Sequence, residues 1–305
     1  MKKRRIGTLE VSVVGLGCNN FGRRVDETGT RRVIDAALDA GITFLDTADI
    51  YGGTLSESFM GSALAGRRER FVLATKFGMK VDEKRRGAKP AYVRQAVEDS
   101  LRRLNTDHID LYQLHEPDES TPIADTLAAL DQLVKAGQIR EIGCSNFNAA
   151  QLREAQEAVR NGAARFVSVQ NEFSLLHREP ESGVLDACKQ LDMAFLPYFP
   201  LARGLLTGKY RKGADAPKNS RLSGSDRLTQ QSLDLVENLI SFAVARGHTI
   251  LELAVSWLLT HPPVSSVIAG ATTPEQVHAN AAAANWYFES VELREIDRIT
   301  AASKP

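Results

Sequence analysis

The chain has 305 residues, 43% apolar and 25% charged, and its 38 basic and 38 acidic side chains leave a formal net charge of zero. This is the composition of an ordinary globular protein, and the balanced charge favours neither a nucleic-acid partner nor attraction to a membrane surface. The basic run Lys2-Lys3-Arg4-Arg5 leads into IGTLEVSVVGLG, too brief and interrupted for a secretory leader or a membrane span, and Cys18, Cys144 and Cys188 lack the pairing or CxxC spacing of a disulfide framework or zinc site. The expectation is a cytoplasmic protein with reduced cysteines and no metal.

Short apolar or β-branched runs recur along the chain as VVGLGC, TFLDTAD, FVLATKF, DLYQLH, IGCSN, FVSVQNEF, AFLPYFP and SSVIAG, which predict eight strands. Helical patterns alternate with them at 28–40, 56–65, 90–104, 121–136, 148–161, 183–191, 250–261 and 274–284. Thr121-Pro122, Asn148 and Thr273-Pro274 read as helix starts, and Gly41 and Gly137 as stops. Strands and helices alternating in this way are the sequence form of a (β/α)8 barrel. Two segments depart from the repeat. Residues 201–228 form a long loop bearing Gly, Lys and Arg, followed by an extra helix near 229–247, and the tail NWYFESVELREIDRITAA reads as a further amphipathic helix. No linker or low-complexity stretch interrupts the pattern, so one domain over 1–305 is expected.

Four polar residues fall at or just beyond strand ends: Asp46 and Tyr51 in FLDTADIYGG, Lys76 in FVLATKFG and His115 in IDLYQLHEPD. In a parallel barrel those ends open on one face, where the loops build the active site. A tyrosine is a poor proton donor at neutral pH unless a positive charge stabilises its phenolate. Lys76 is placed to supply that charge, Asp46 to hold Lys76 protonated, and His115 to orient a carbonyl oxygen. A carbonyl that gains a proton on oxygen needs a hydride on carbon, which no side chain provides and a nicotinamide cofactor does.

At these residues the chain resembles the aldo-keto reductase superfamily. The resemblance runs in order through VVGLGCNNFG, DTADIYG, LATKFG, LYQLHEPD, IREIGCSNF, VQNEFSLL, PYFPLARGLLTGKY and IAGATTPEQVHANAAA. It implies an α/β fold, a (β/α)8 TIM barrel with an N-terminal β-hairpin and two extra helices, that binds NADP(H) across its C-terminal mouth. It also implies Tyr51 as general acid, Lys76 and Asp46 as its tuning pair, and His115 as substrate orienter. For the cofactor, it implies Ser145, Asn146 and Gln170 at the nicotinamide carboxamide and Tyr198 stacked on the ring, with Cys18, Asn19 and Asp46 also in the cofactor-binding set. Phe199, Pro200, Leu201 and Arg203 would follow the pyrophosphate. Lys209 and Arg221 match basic positions aimed at the phosphates, and Gly270, Thr272, Gln276 and Asn280 match the adenine end.

The chain departs from the family pattern at two points. Phe199 stands where serine is common, and GATTPEQ carries no lysine or arginine, so recognition of a 2′-phosphate rests mainly on Arg221. NADP(H) is expected, with NAD(H) as a weaker alternative. Substrate would be a small carbonyl compound, walled by Asn20, Phe21, residues 77–90 and the 201–228 loop. Two other readings attach to the same residues: a Schiff-base lyase acting through Lys76, and an NADP(H)-binding redox sensor or interaction protein with slow turnover. A lone Asp, Tyr, Lys or His near a strand end is ordinarily a surface or capping residue, so the weight lies in the four occurring together. His108, His177, His248, His261 and His278 show no ligand spacing.

Overall fold

The structure, a computed structural model, describes residues 1–218, 220–226 and 228–301. It opens with a hairpin in which β1 (Lys3–Ile6) runs antiparallel to β2 (Leu9–Ser12). The parallel strands β3 (Val14–Gly17), β4 (Phe44–Asp46), β5 (Val72–Phe77), β6 (Ile109–Leu114), β7 (Ile139–Ser145), β8 (Phe166–Glu172), β9 (Ala194–Tyr198) and β10 (Val267–Gly270) follow. Their order, β10-β3-β4-β5-β6-β7-β8-β9, makes a nearly closed ring. Closure runs through the segment before β10, where Phe195 N–H donates to Pro263 O at 2.7 Å and Ser265 N–H to Phe195 O at 3.1 Å.

The outer layer holds α1 (Glu27–Asp39), α2 (Leu55–Leu64), α3 (Pro90–Leu104), α4 (Ile123–Lys135), α5 (Ala149–Glu157) and α6 (Val184–Gln190), with α8 (Ile250–Leu258) and α9 (Pro274–Ala282) completing the repeat. The two extra helices are α7 (Gln230–Val244) and α10 (Ser290–Ala301). Several boundaries follow the sequence signals. Asn148 and Gln151 form a reciprocal capping box, Thr273 accepts from Gln276 N–H, and Gly41 and Gly137 take the left-handed conformation, φ +76 at each. Thr121 does not act as a cap: α4 begins at Ile123, and the Thr121 hydroxyl donates to Asp118 Oδ2 at 2.8 Å, because a local side-chain acceptor competes for it.

Period-two alternation sorts the barrel interior into layers. Phe44, Ala74, Leu111, Leu196 and Ile268 form a lower apolar layer, closed from below by Ile6, Leu9 and Val11 of the hairpin. Two residues further along their strands the same inward positions turn polar, with Asp46, Lys76 and Gln113, joined by Gln170 from β8. The intervening residues Thr75 and Tyr112 are also fully buried, and Tyr112 belongs to the larger cluster beneath the helices. The bottom of the barrel is thus a packed apolar plug, and the polar chemistry is confined to the C-terminal end. All three cysteines are buried and free. Among the described residues no helix is long and apolar enough to cross a membrane, and no cluster of His, Cys, Asp and Glu is suited to a metal.

Candidate active site

Lys76 and Asp46 meet at the centre of the polar layer. Lys76 Nζ lies 2.7 Å from Asp46 Oδ2 and 2.8 Å from the Thr47 carbonyl, with both side chains almost wholly enclosed. The other carboxylate oxygen receives Gln170 Nε2 at 2.9 Å and Gln113 Nε2 at 3.1 Å. Burial alone would depress the Lys76 ammonium, but the Asp46 carboxylate at 2.7 Å and, after it, the neighbouring Tyr51 phenol carry it above its ordinary value. A buried ion pair persists when its remaining hydrogen-bonding capacity is filled in this way.

Tyr51 is delivered to this pair by the turn that follows β4. Gly52 and Gly53 take φ +62 and +66, and a Cβ on Gly52 would run into the Phe21 carbonyl, so only glycine lets the loops after β3 and β4 pack together here. The Lys76 ammonium sits 5.2 Å from the Tyr51 ring centre, and the His115 ring meets Tyr51 edge-on at 5.8 Å. Asp46, Tyr51, Lys76 and His115 therefore come from three strand ends into one cluster.

The electrostatics differ from the simple expectation at Tyr51. Desolvation raises its phenol; Lys76 pulls downward, but Asp46 opposes it and the outcome stays above the ordinary value. Because Lys76 and Asp46 are nearly neutral as a pair, burial decides, and the resting phenol keeps its proton. Burial, reinforced by the Lys76 charge, pushes the His115 imidazole down to about 3, so the ring is neutral at physiological pH. Its Nδ1 is enclosed without a hydrogen-bond partner among the described residues. The cluster can thus offer a protonated phenol beside a fixed cation and a neutral imidazole to an oxygen atom, but it contains no group able to transfer a hydride.

Behind the Tyr51 turn lies a second set of buried charges. Glu57 of α2 accepts from Thr75 Oγ1 at 2.6 Å and Arg103 Nε at 2.7 Å, and Asp49, 2% exposed, accepts weakly from Tyr92 at 3.4 Å. Burial and then the Glu57 charge push the Asp49 carboxyl up to about 7, with Arg103 only partly offsetting them.

The other candidate positions form the rim. Asn146, at φ +62, donates to the His115 carbonyl at 2.9 Å and accepts from the Tyr198 hydroxyl at 2.9 Å, tying the histidine strand to the proposed ring platform. Ser145 donates to the Gln170 carbonyl at 2.6 Å. The Gln170 amide is turned toward Asp46 and lies beneath the rim. Cys18 is fully enclosed, Asn19 is partly exposed, and Pro200 and Leu201 are buried. Phe199 stacks edge-on with Tyr198 at 5.2 Å and lies under the Arg203 guanidinium at 3.8 Å; Arg203 also pairs with Glu172 at 3.5 Å. Phe199, Ala202 and Arg203 all adopt positive φ, the last two opening a turn of 3-10 character over Ala202–Thr207 that the sequence pattern did not predict. Lys209 is exposed beside Tyr210, and Arg221 reaches across to Asn20 Oδ1 at 3.1 Å. Gly270 is exposed at the end of β10; Gln276 Oε1 accepts from Thr272 N–H and Oγ1 at 2.8 and 3.1 Å; and Asn280 is buried on α9.

Phe21 and Phe77 do not wall a pocket. Both are fully buried, and Phe77 stacks on Tyr112 at 4.8 Å. A cavity of about 780 Å³ lies between the loops after β5 and β6, bordered by Gly78, Tyr92, Glu116 and Asp118. Gln113 escaped the sequence reading, although its register opposite Lys76 marks it as an inward neighbour.

Residues 13–301 match the Aldo/keto reductase family. The chain is 36% identical over 304 residues to the aldo-keto reductase YhdN of Bacillus subtilis, covering 95% of this chain and 90% of that protein. It is 34% identical over 307 residues to probable aldo-keto reductase 1 of Glycine max, covering 96% and 87%. Among solved structures, the glycerol dehydrogenase AKR11B4 of Gluconobacter oxydans superposes with a TM-score of 0.87 at 32% identity, covering 99% of this chain and 97% of that one. The holo form of the aldo-keto reductase AKR11C1 of Bacillus halodurans gives 0.82 at 35% identity, covering 98% and 96%. The eight-stranded barrel, the polar cluster at its C-terminal end and these matches lead to one conclusion: the chain belongs to the aldo/keto reductase family of oxidoreductases.

Proposed function

We propose that the protein is an NADP(H)-dependent reductase of the cytoplasm that reversibly converts an aldehyde or ketone to its alcohol, with Tyr51 as general acid. The observation that carries this reading is the convergence of the Tyr51 phenol, the Lys76–Asp46 ion pair at 2.7 Å and the neutral His115 ring.

The rim residues fit a nicotinamide dinucleotide. Tyr198 offers a half-exposed aromatic face, Arg203 Nε is buried with no hydrogen-bond partner among the described residues, and Arg221 hydrogen-bonds the neutral amide of Asn20 and lies over the Phe199 ring. In this reading Ser145 and Asn146 hold the carboxamide end, residues 199–203 follow the pyrophosphate with Lys209 above it, Arg221 meets the 2′-phosphate, and Gly270, Thr272, Gln276 and Asn280 receive the adenosine. When bound, the cofactor supplies the hydride that no side chain can.

The protein's own residues manage the proton. The substrate oxygen sits between the Tyr51 hydroxyl and His115. With Nδ1 sealed and unpartnered, the tautomer carrying its proton on Nε2 avoids a buried orphan N–H and turns a donor to the substrate. A phenol that stays protonated at rest is suited to this role, because the alkoxide that develops on the substrate is a far stronger base than a phenolate. As the proton leaves, Lys76 stabilises the phenolate. Asp46, satisfied by Gln113 and Gln170, keeps Lys76 charged throughout. Alcohol oxidation runs the same proton path in reverse.

The same ion pair disfavours Schiff-base chemistry, which needs a neutral, nucleophilic amine, whereas Lys76 lies above its ordinary pKa. The glycerol dehydrogenase among the structural neighbours directs the substrate search to small hydroxyaldehydes. The test is fluorescence titration with NADPH and NADH, followed by turnover on glyceraldehyde, methylglyoxal, an aromatic aldehyde and pyridoxal. Tight NADPH binding with turnover supports the proposal. Binding with no turnover on any aldehyde transfers weight to a sensor or interaction role, and no binding refutes the cofactor assignment.

A further inference from the structure

The loop that carries Tyr51 is closed at its stem by two hydroxyls. Thr47, the residue after β4, and Ser56, in the first turn of α2, lie nine positions apart, and their side-chain oxygens meet at 2.8 Å. Both residues are fully buried. The Ser56 hydroxyl donates to the Cys18 carbonyl at 3.0 Å, which makes Thr47 the donor between the two and ties the stem to the end of β3.

Thr47 also reaches the ion pair. Its carbonyl accepts from Lys76 Nζ at 2.8 Å. Its N–H donates to the Ala74 carbonyl at 2.9 Å, and the Asp49 N–H donates to the Lys76 carbonyl at 3.1 Å, so the first part of the loop is laid along β5 as far as Lys76. One residue therefore meets the ammonium through its backbone and the loop stem through its side chain.

The far side of the stem is anchored independently. Glu57, next to Ser56, accepts from Arg103 of α3 and from Thr75, the residue before Lys76, at 2.7 and 2.6 Å. One turn further on, Gly61 brings α2 close against the end of α3, where a Cβ would lie 2.5 Å from the Arg103 carbonyl. Ser56 thus projects from a helix fixed both to α3 and to the lysine strand. Within this frame the Lys76 ammonium stands 5.2 Å from the Tyr51 ring centre.

We infer that Thr47 and Ser56 are positioning residues: their paired hydroxyls close the Tyr51 loop and hold the Thr47 carbonyl against Lys76, which fixes the spacing of phenol and ammonium. The inference rests on the proposal that Tyr51 is the general acid. It assigns to a hydroxyl pair outside the reacting cluster the alignment on which proton delivery depends.

The test compares wild type, Thr47→Val, Thr47→Val/Ser56→Ala and Thr47→Ser, with Ser12→Ala at the closed end of the barrel as a control for stability alone. The double variant removes both hydroxyls together, and the Cys18 carbonyl keeps the Phe21 N–H at 3.1 Å, so no buried donor is stranded. Turnover of an aldehyde at saturating NADPH is measured in light and heavy water, alongside NADPH affinity and melting temperature. Thr47→Val and the double variant should each lose about tenfold or more in kcat with NADPH affinity little changed. Their solvent isotope effect on kcat should rise, because proton delivery becomes the slow step. Thr47→Ser, which keeps the hydroxyl, should retain most of the activity, and Ser12→Ala should lower the melting temperature without moving the isotope effect. Wild-type kcat and isotope effect in both valine variants, with turnover lost in Tyr51→Phe, would overturn the positioning role alone, and so would an equal loss in Thr47→Ser. Turnover retained in Tyr51→Phe, or absent from wild type on every aldehyde, would remove the reading beneath it as well.

Discussion

Gln170 donates its side-chain amide to Asp46 Oδ1 at 2.9 Å, on the oxygen opposite the one that receives Lys76. The carboxylate is thereby held between a neutral donor from β8 and a cation from β5, deep in the barrel. Replacing Asp46 with Asn leaves the Lys76 charge buried without its counter-ion. The expected cost is about 3–5 kcal/mol of stability, with a depressed Lys76 pKa. Urea unfolding measures the first, and Asp46→Asn/Lys76→Met should recover part of the loss by removing the stranded charge.

Two buried groups make opposing contributions to the pH dependence of stability. His115 is held down at about 3 against an ordinary value of 6.5, so as pH falls below 6.5 the unfolded chain takes up a proton that the native state refuses, and stability drops. Asp49 is raised to about 7 from 3.8; its contribution is fully present below 3.8 and is lost as pH rises through 7. Between about pH 4 and 6.5 the two slopes, each on the order of 1.4 kcal/mol per pH unit, oppose one another. Asp49→Asn should make stability rise with pH across that window, and His115→Gln should make it fall. Denaturant midpoints at intervals of half a pH unit would show both, and parallel curves for all three proteins would contradict the assignment.

The barrel was legible in the sequence because its strands are short apolar runs between well-marked helices. Asp46, Tyr51, Lys76 and His115 were legible as a group because each stands at or just beyond a strand end. What holds them was less so. Gln113 and Gln170 lie 67 and 124 residues from Asp46 and are neutral, so neither motif nor charge pattern points to the contact. The raised phenol of Tyr51 depends on burial, which a sequence of charges does not convey. Ala202 and Arg203 take left-handed backbone that local propensity disfavours, so the turn they form is imposed by tertiary packing. Phe21 and Phe77, expected at the pocket wall, pack inward because a large apolar ring beside the barrel gains more from burial than from lining a polar mouth.

Gly52 tests the placement of Tyr51 without touching its chemistry. At φ +62, with the Phe21 carbonyl where a Cβ would go, Gly52→Ala forces the turn to shift. The expected outcome is a destabilisation of about 1–3 kcal/mol and a fall in kcat of about tenfold or more, with NADPH affinity little changed. Thermal unfolding and steady-state kinetics on the same preparation separate the two effects.

Arg221→Ala should discriminate between cofactors. If its guanidinium meets the 2′-phosphate, NADPH affinity falls by about tenfold or more while NADH affinity changes much less. Equal losses for the two would remove that role from Arg221.

The most direct test of the central claim is Tyr51→Phe, which deletes one hydroxyl and leaves the ring, Lys76 and the mouth in place. NADPH binding by fluorescence and NADPH oxidation by an aldehyde that the wild type reduces should be measured side by side. The account predicts unchanged binding and a loss of turnover of about 10²-fold or more. Turnover within a few-fold of wild type would contradict the assignment of Tyr51 as the proton donor.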